Sequence, residues 1–218
     1  MANPAAPHGL QPVQTQDGNP WNGKANLYHI QSTDTKAYYN GDIVQLVPAA
    51  GLNGSTQGSD INGVPNITGF TGSQTACLPI GAIVGVQVAP IGVGAGQTQG
   101  TAVNLNLQFV PAAKLNDYYV WVADDPSLLF EIQGSASLAA AQATTVGSNA
   151  SFLPTAPANT IGPLSATVVD TIAVTATLPL KIVGIPYRPN VAFGVNMPLL
   201  VVFNTHQYGK PSPGTVGV

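Results

Sequence analysis

Charge is scarce in this chain. Only 7% of its 218 residues are Asp, Glu, Lys or Arg, against about 25% in an ordinary soluble domain. Six cations against nine carboxylates leave a formal charge of −3. The chain therefore offers neither a basic stripe to neutralise phosphates nor a polybasic patch for an anionic membrane, and nucleic acid and membrane are not expected partners. Cys77 is the single cysteine, which excludes an internal disulfide and a cysteine-based zinc centre; it reads as a small apolar interior residue. His8, His29 and His206 lie in separate segments without ligand-pair spacing, so no metal or cofactor is expected. No apolar run reaches the ~18 residues of a membrane helix, and the opening MANPAAPHGLQPV lacks the charged-then-apolar order of a secretion signal. Synthesis in a reducing cytoplasm is the expectation, with the Asn-X-Ser/Thr matches at Asn53, Asn66 and Asn149 falling by chance.

Glycine and proline are abundant, 24 and 19, in a chain that is 44% hydrophobic, a composition that folds but is cut into short segments. The densest segment is YYVWVADDPSLLFEIQG, Tyr118 to Gly134. β-Branched and aromatic side chains alternate on both sides of Asp124-Asp125-Pro126-Ser127, a run in which Asp accepts local backbone bonds and Pro removes a donor. This spacing predicts a β-hairpin. Strands are also predicted over 25–30, 80–88, 101–110, 168–174, 178–185 and 197–204. A second hairpin is expected from Ala37-Tyr38-Tyr39 through Asn40-Gly41 to a strand over 42–47. Residues 48–76 read as a long loop excursion with one short strand within 64–70, the Gly92–Gly100 run as a flexible connection, and 143–163 as a linker. Only SASLAAAQ (135–142) is rich enough in alanine for a short helix. The expected architecture is all-β, an antiparallel sandwich or barrel with long loops and at most one short helix. Its expected limits are an extended N-terminal arm over 1–25, one domain over 26–210 and a loose tail over 211–218. Trp21, alone in a polar stretch of the arm, is expected to pack on its own domain.

Catalytic chemistry finds little to use. Asp124, Asp125 and Glu131 are the sharpest cluster, as an oxygen-rich metal site or an acid/base pair, but two aspartates capping a turn and a glutamate facing solvent is the simpler reading. Asp117 and Asp170 add carboxylates without a spacing that selects a pair. Ser, His206 and Asp170 form no recognisable nucleophile motif. No catalytic residue is assigned and the protein is not expected to be an enzyme; a hydrolase built on the aspartates is the minority reading.

Several stretches together resemble a family of tailed-bacteriophage head proteins regarded as capsid decoration or cement proteins. They are Pro-His-Gly-Leu-Gln-Pro-Val (7–13), Pro20-Trp21-Asn22-Gly23, Tyr28-His29-Ile30, Tyr39 to Val44, Gly85-Val86-Gln87-Val88, Val120 to Gln133, Val146 to Ala150, Leu180 to Gly184 and Val201 to Gln207. VADDP followed by FEIQ is the most distinctive. The resemblance implies a structural virion protein on the capsid exterior, made in a bacterial cytoplasm. It would bind the major capsid protein at subunit junctions and associate with itself, as a trimer rather than a dimer. Arm and strand edges would reach the capsid by strand addition, with Trp21, Tyr28, Tyr38 and Tyr39 as interface anchors. Deleting residues 1–22 would then weaken capsid binding and leave the domain folded. The alternative is a phage adhesion module that binds glycans or host surfaces.

Overall fold

The structure, a computed structural model, describes residues 3–72, 77–88, 108–136, 138, 143–157, 164–189, 191–210 and 214–217. It is nearly all β, with antiparallel sheets stacked in a sandwich-like arrangement and no closed barrel. Sheet A runs β1 (Gln11–Thr15), β9 (Leu128–Gln133), β13 (Pro198–Phe203), β12 (Leu180–Gly184), β10 (Asn149–Leu153), β11 (Val168–Ala173). Sheet B runs β2 (Asn26–Ile30), β8 (Tyr118–Ala123), β6 (Pro79–Val88), β4 (Ile43–Leu46), β5 (Ile67–Gly69). A small pair joins β3 (Tyr38–Tyr39) to β7 (Phe109–Val110). The Gly92–Gly100 connection, most of the predicted 101–110 strand and most of the predicted 135–142 helix lie outside the described residues.

Alternation along the strands sets the layers. Phe130 and Ile132 of β9, Leu199, Val201 and Phe203 of β13 and Leu180 and Ile182 of β12 point into one core, which Ile43, Ala82 and Ala123 of sheet B close from the other side. The intervening residues of sheet B, Val44, Ile83, Val120 and Val122, turn away into a second core with Tyr28, Ile30, Tyr38 and Val110. Sheet B is thus apolar on both faces, and each fully buried side chain of this size contributes about 1.5–3 kcal/mol. Gly81 permits the closest approach inside the sheet, because a Cβ there would strike the carbonyl oxygen of Ala123.

Both predicted hairpins have the right strands and the wrong pairing. β8 belongs to sheet B and β9 to sheet A, so Asp124 to Ser127 is a corner between layers. Asp125 builds it, its Oδ1 accepting from the Ser127 amide at 2.8 Å and the Ser127 hydroxyl at 2.6 Å. At Asn40-Gly41 β3 leaves to pair with β7, while β4 pairs with β5 and β6. Turn residues state where a chain reverses; they do not state which neighbour has the better apolar face, and in both places burial between layers decided.

The arm, linker and tail are also more ordered than expected. β1 pairs with β9, Leu10 is fully buried in the first core, and the Asn3 amide donates to the carbonyls of Ala192 and Val195. Two glycines allow the crossing: Gly9 (φ +66°) and Gly41 (φ +95°) lie so close that a Cβ on Gly9 would sit 2.5 Å from the Gly41 carbonyl oxygen. The Leu10 amide donates to that oxygen at 2.9 Å. The supposed linker contains β10, a central strand of sheet A whose polar Asn149 and small Ala150 hid it from a hydrophobic pattern; Phe152 was its one strong signal. In the tail, Thr215 and Gly217 are docked, the Gly217 amide donating to the Val174 carbonyl.

The excursion over 48–72 is fastened by one buried carboxylate. Asp34 Oδ2 accepts from Tyr38, Ser55 and Thr68 hydroxyls at 2.8, 3.0 and 3.0 Å. Its Oδ1 lies 3.7 Å from Lys114 Nζ, and both side chains are fully buried. Lys114 also donates to the carbonyls of Asp34 and Lys36, at 2.5 and 2.6 Å, and burial pushes its ammonium below the usual pKa.

Candidate functional site

Three of the four expected anchors belong to the interior. Tyr28, Tyr38 and Tyr39 are 4%, 1% and 7% exposed, so none presents a ring to a partner. The Tyr28 hydroxyl donates to Asp124 at 2.6 Å, and Tyr39 stacks on Phe109 with centroids 5.5 Å apart. Desolvation raises the pKa of the Tyr28 and Tyr38 phenols. The aromatic pattern signalled burial, and nothing in the sequence separated the two uses. Trp21 is half-buried on the first core of its own domain, its Nε1 donating to the Lys24 carbonyl at 3.1 Å.

Asp17 and Asp125 line one cavity, each held within its own loop, by Thr15 and Asn19 and by Ser127, and none of Asp117, Asp124, Asp170 and Glu131 joins them there. Asp124 holds Asn26 and Tyr28, and Asp117 holds the Ser32 amide and lies 3.3 Å from His29 Nε2. Asp170 meets only the neighbouring Thr171 hydroxyl among its described hydrogen bonds. Glu131 does not face solvent freely but receives Arg188 at 2.5 Å. His206 has both ring nitrogens engaged, Nε2 on the Ile80 carbonyl at 2.7 Å and Nδ1 accepting from the Tyr208 amide, so it is not available as a base to Asp170.

A strongly perturbed carboxyl lines another cavity. Between β4 and β10 lies a cleft of about 270 Å³, walled by Tyr38, Phe70, Phe152 and Pro154 and floored by Asp42. The Asp42 carboxylate accepts from Ser165 Oγ at 2.5 Å and the Tyr39 amide at 2.9 Å. Desolvation nevertheless pushes its pKa from 3.8 up to about 6. A carboxyl with a raised folded-state pKa stabilises the fold fully below its unfolded value and loses that contribution as pH climbs from about 4 through 6. Asp42→Asn should therefore match the wild type in urea unfolding at pH 4 and exceed it by up to about 3 kcal/mol at pH 8, at about 1.4 kcal/mol per pK unit. Parallel pH profiles would contradict this assignment.

The strand edges are partly taken. The outer backbone of β1 is engaged by its own return, Trp21 N to Val13 O at 3.0 Å and Thr15 N to Asn19 O at 2.9 Å. β2 is met by Pro65, the start of β11 by Ser135, and the Gly69 amide of β5 by the Tyr38 hydroxyl. Strand addition, expected from the sequence, thus meets edges that the chain has partly covered itself. The exposed surface also carries large apolar side chains. Residues 185–189 and 191–196, between β12 and β13, are tied down by Arg188 on Glu131 and by Asn3, and carry Tyr187 fully exposed and Phe193 39% exposed. Leu115, Ile61 and Val174 project elsewhere. An aromatic between Pro186 and Pro189, outside any strand period, was the available signal for Tyr187.

The comparisons settle no ancestry. No family model, no curated protein and no solved structure matches this chain.

Proposed function

We propose that this protein is a structural head protein of a tailed phage, binding the outer capsid surface at subunit junctions and stabilising the shell. The observation that carries the reading is the distribution of charge and apolar surface. Charged groups are few, and some of them are spent inside, in the Asp34–Lys114 pair and at Asp42, while Glu131 and Arg188 pair at the surface. Between the exposed charges the exterior carries projecting Tyr187, Leu115 and Ile61. Interface cores are depleted of charge and enriched in aromatics, so such a surface suits permanent contact. The stretches that resemble decoration proteins support the same reading. Self-association would let modest contacts act together, since a trimer touches several capsid subunits at once.

Quantitative mass spectrometry of purified particles tests it: hundreds of copies per head are expected, whereas a handful would favour the adhesion reading and absence would reject both. Tyr187→Ala separates contact from stability. Capsid occupancy should fall about tenfold or more, a hot-spot loss of roughly 1.4 kcal/mol or above, with the unfolding midpoint unchanged because the ring makes no internal contact at full exposure.

A further inference from the structure

Beside the sheet corner lies a second cavity of about 330 Å³, formed where the 15–24 loop folds against Asp125 and Leu128. Its lining differs from that of the cleft at Asp42 in carrying an indole and two carboxylates. One wall is Trp21, whose indole N–H is already satisfied by Lys24 O and whose remaining ring surface is partly open. Around it stand Asp17, Asn19, Asn22, Lys24 and Asp125. The loop is fixed before any ligand arrives. Asp17 holds the Thr15 hydroxyl and, at 2.8 Å, the Asn19 amide, while Asn22 Oδ1 accepts from the Lys24 amide at 3.0 Å. The Gln16 amide ties the loop to the corner through Ser127 O at 2.9 Å.

We infer that this pocket is a binding site for a neutral saccharide, one ring stacking on Trp21 with its hydroxyls bonded by the surrounding carboxylate, amide and amine groups. The chemistry is specific in three respects. A pyranose is apolar on the face carrying its axial C–H bonds and polar at its rim, and an indole with a ring of planar polar groups is the complementary amphipathic surface. Each sugar hydroxyl both donates and accepts; Asp accepts only, Lys donates only and Asn does both, so the set serves either role. The volume lies at the small end of ligand pockets, suited to one or two rings. Two carboxylates in the wall oppose a phosphorylated or sialylated ligand. The pre-bonded loop lowers the ordering cost that otherwise erases weak binding. This site is independent of the capsid-binding reading, and Tyr187 is not among its lining residues.

The intact protein, titrated with the methyl glycosides of glucose, galactose, mannose and N-acetylglucosamine, gives the test by two-dimensional amide and indole NMR. At least one glycoside should saturate with a Kd at or below about 10 mM, moving the Trp21 indole resonance and leaving that of Trp121 in place. Asn22→Ala, at an exposed position, should weaken that binding at least fivefold with an unchanged melting temperature. Trp21→Leu, which keeps apolar cover over the core, should abolish it. No saturable shift with any of the four, or equal binding by the Asn22 variant, would overturn the assignment.

Discussion

Asp34→Ala is expected to cost about 3–5 kcal/mol, the range for removing one partner of a buried ion pair. In a domain whose total stability is about 5–15 kcal/mol, that is a loss visible directly in the urea midpoint. The size follows from what is left behind. Lys114 keeps its ammonium in a fully buried place with no counter-charge, and three hydroxyls, on Tyr38, Ser55 and Thr68, lose a shared acceptor. Asp34→Ala with Lys114→Met should recover part of the loss, because the stranded charge is gone. A strongly sub-additive double-mutant cycle is therefore the signature. If the two losses simply add, the pair is not coupled. Hydrogen exchange should show protection falling around Ser55 and Thr68, the two residues of the 48–72 region bonded to that carboxylate.

Deleting residues 1–22 should unfold much of the domain, the second large effect. Truncating one fully buried leucine costs about 2–5 kcal/mol, and the deletion removes Leu10 together with the whole of β1, the edge partner of β9. It also takes Trp21 from its seat on the first core. Circular dichroism and exchange protection of β9 would report the loss. A truncated protein with native protection would mean that β1 is dispensable to sheet A. The deletion is consequently unsuited to test capsid binding, and a surface change such as Tyr187→Ala serves instead.

Strand identity was largely legible in the sequence because it is local. Period-two alternation placed β2, β4, β6, β8, β9, β11, β12 and β13 close to where they lie. Partners were not legible, since pairing depends on residues far away in the chain. The Asp125 turn and the Asn40-Gly41 turn have sound hairpin chemistry and are both used as crossings. The extended arm was read from its prolines, yet its docking turned on Leu10 and on Gly9 meeting Gly41, a coincidence of two distant positions. β10 is not legible because Asn149 is a buried polar residue, its side-chain amide N–H group donating to the carbonyls of Thr175 and Thr215. Candidate contact residues were misjudged for a related reason: a tyrosine fits a core as readily as an interface, and only geometry tells them apart.

The order of strands in sheet A also governs when the protein can fold. β1 rests on β9, and β9 rests on β13. β1 thus has no completed sheet to join until the ribosome has delivered β13, Pro198–Phe203. With its pairings so non-local, folding is expected to fall in the slow, millisecond-to-second range of β-sandwiches. During that interval the edges later sealed by residues 19–21 and 65 are open, so yield at high expression should rise when synthesis is slowed or the temperature lowered.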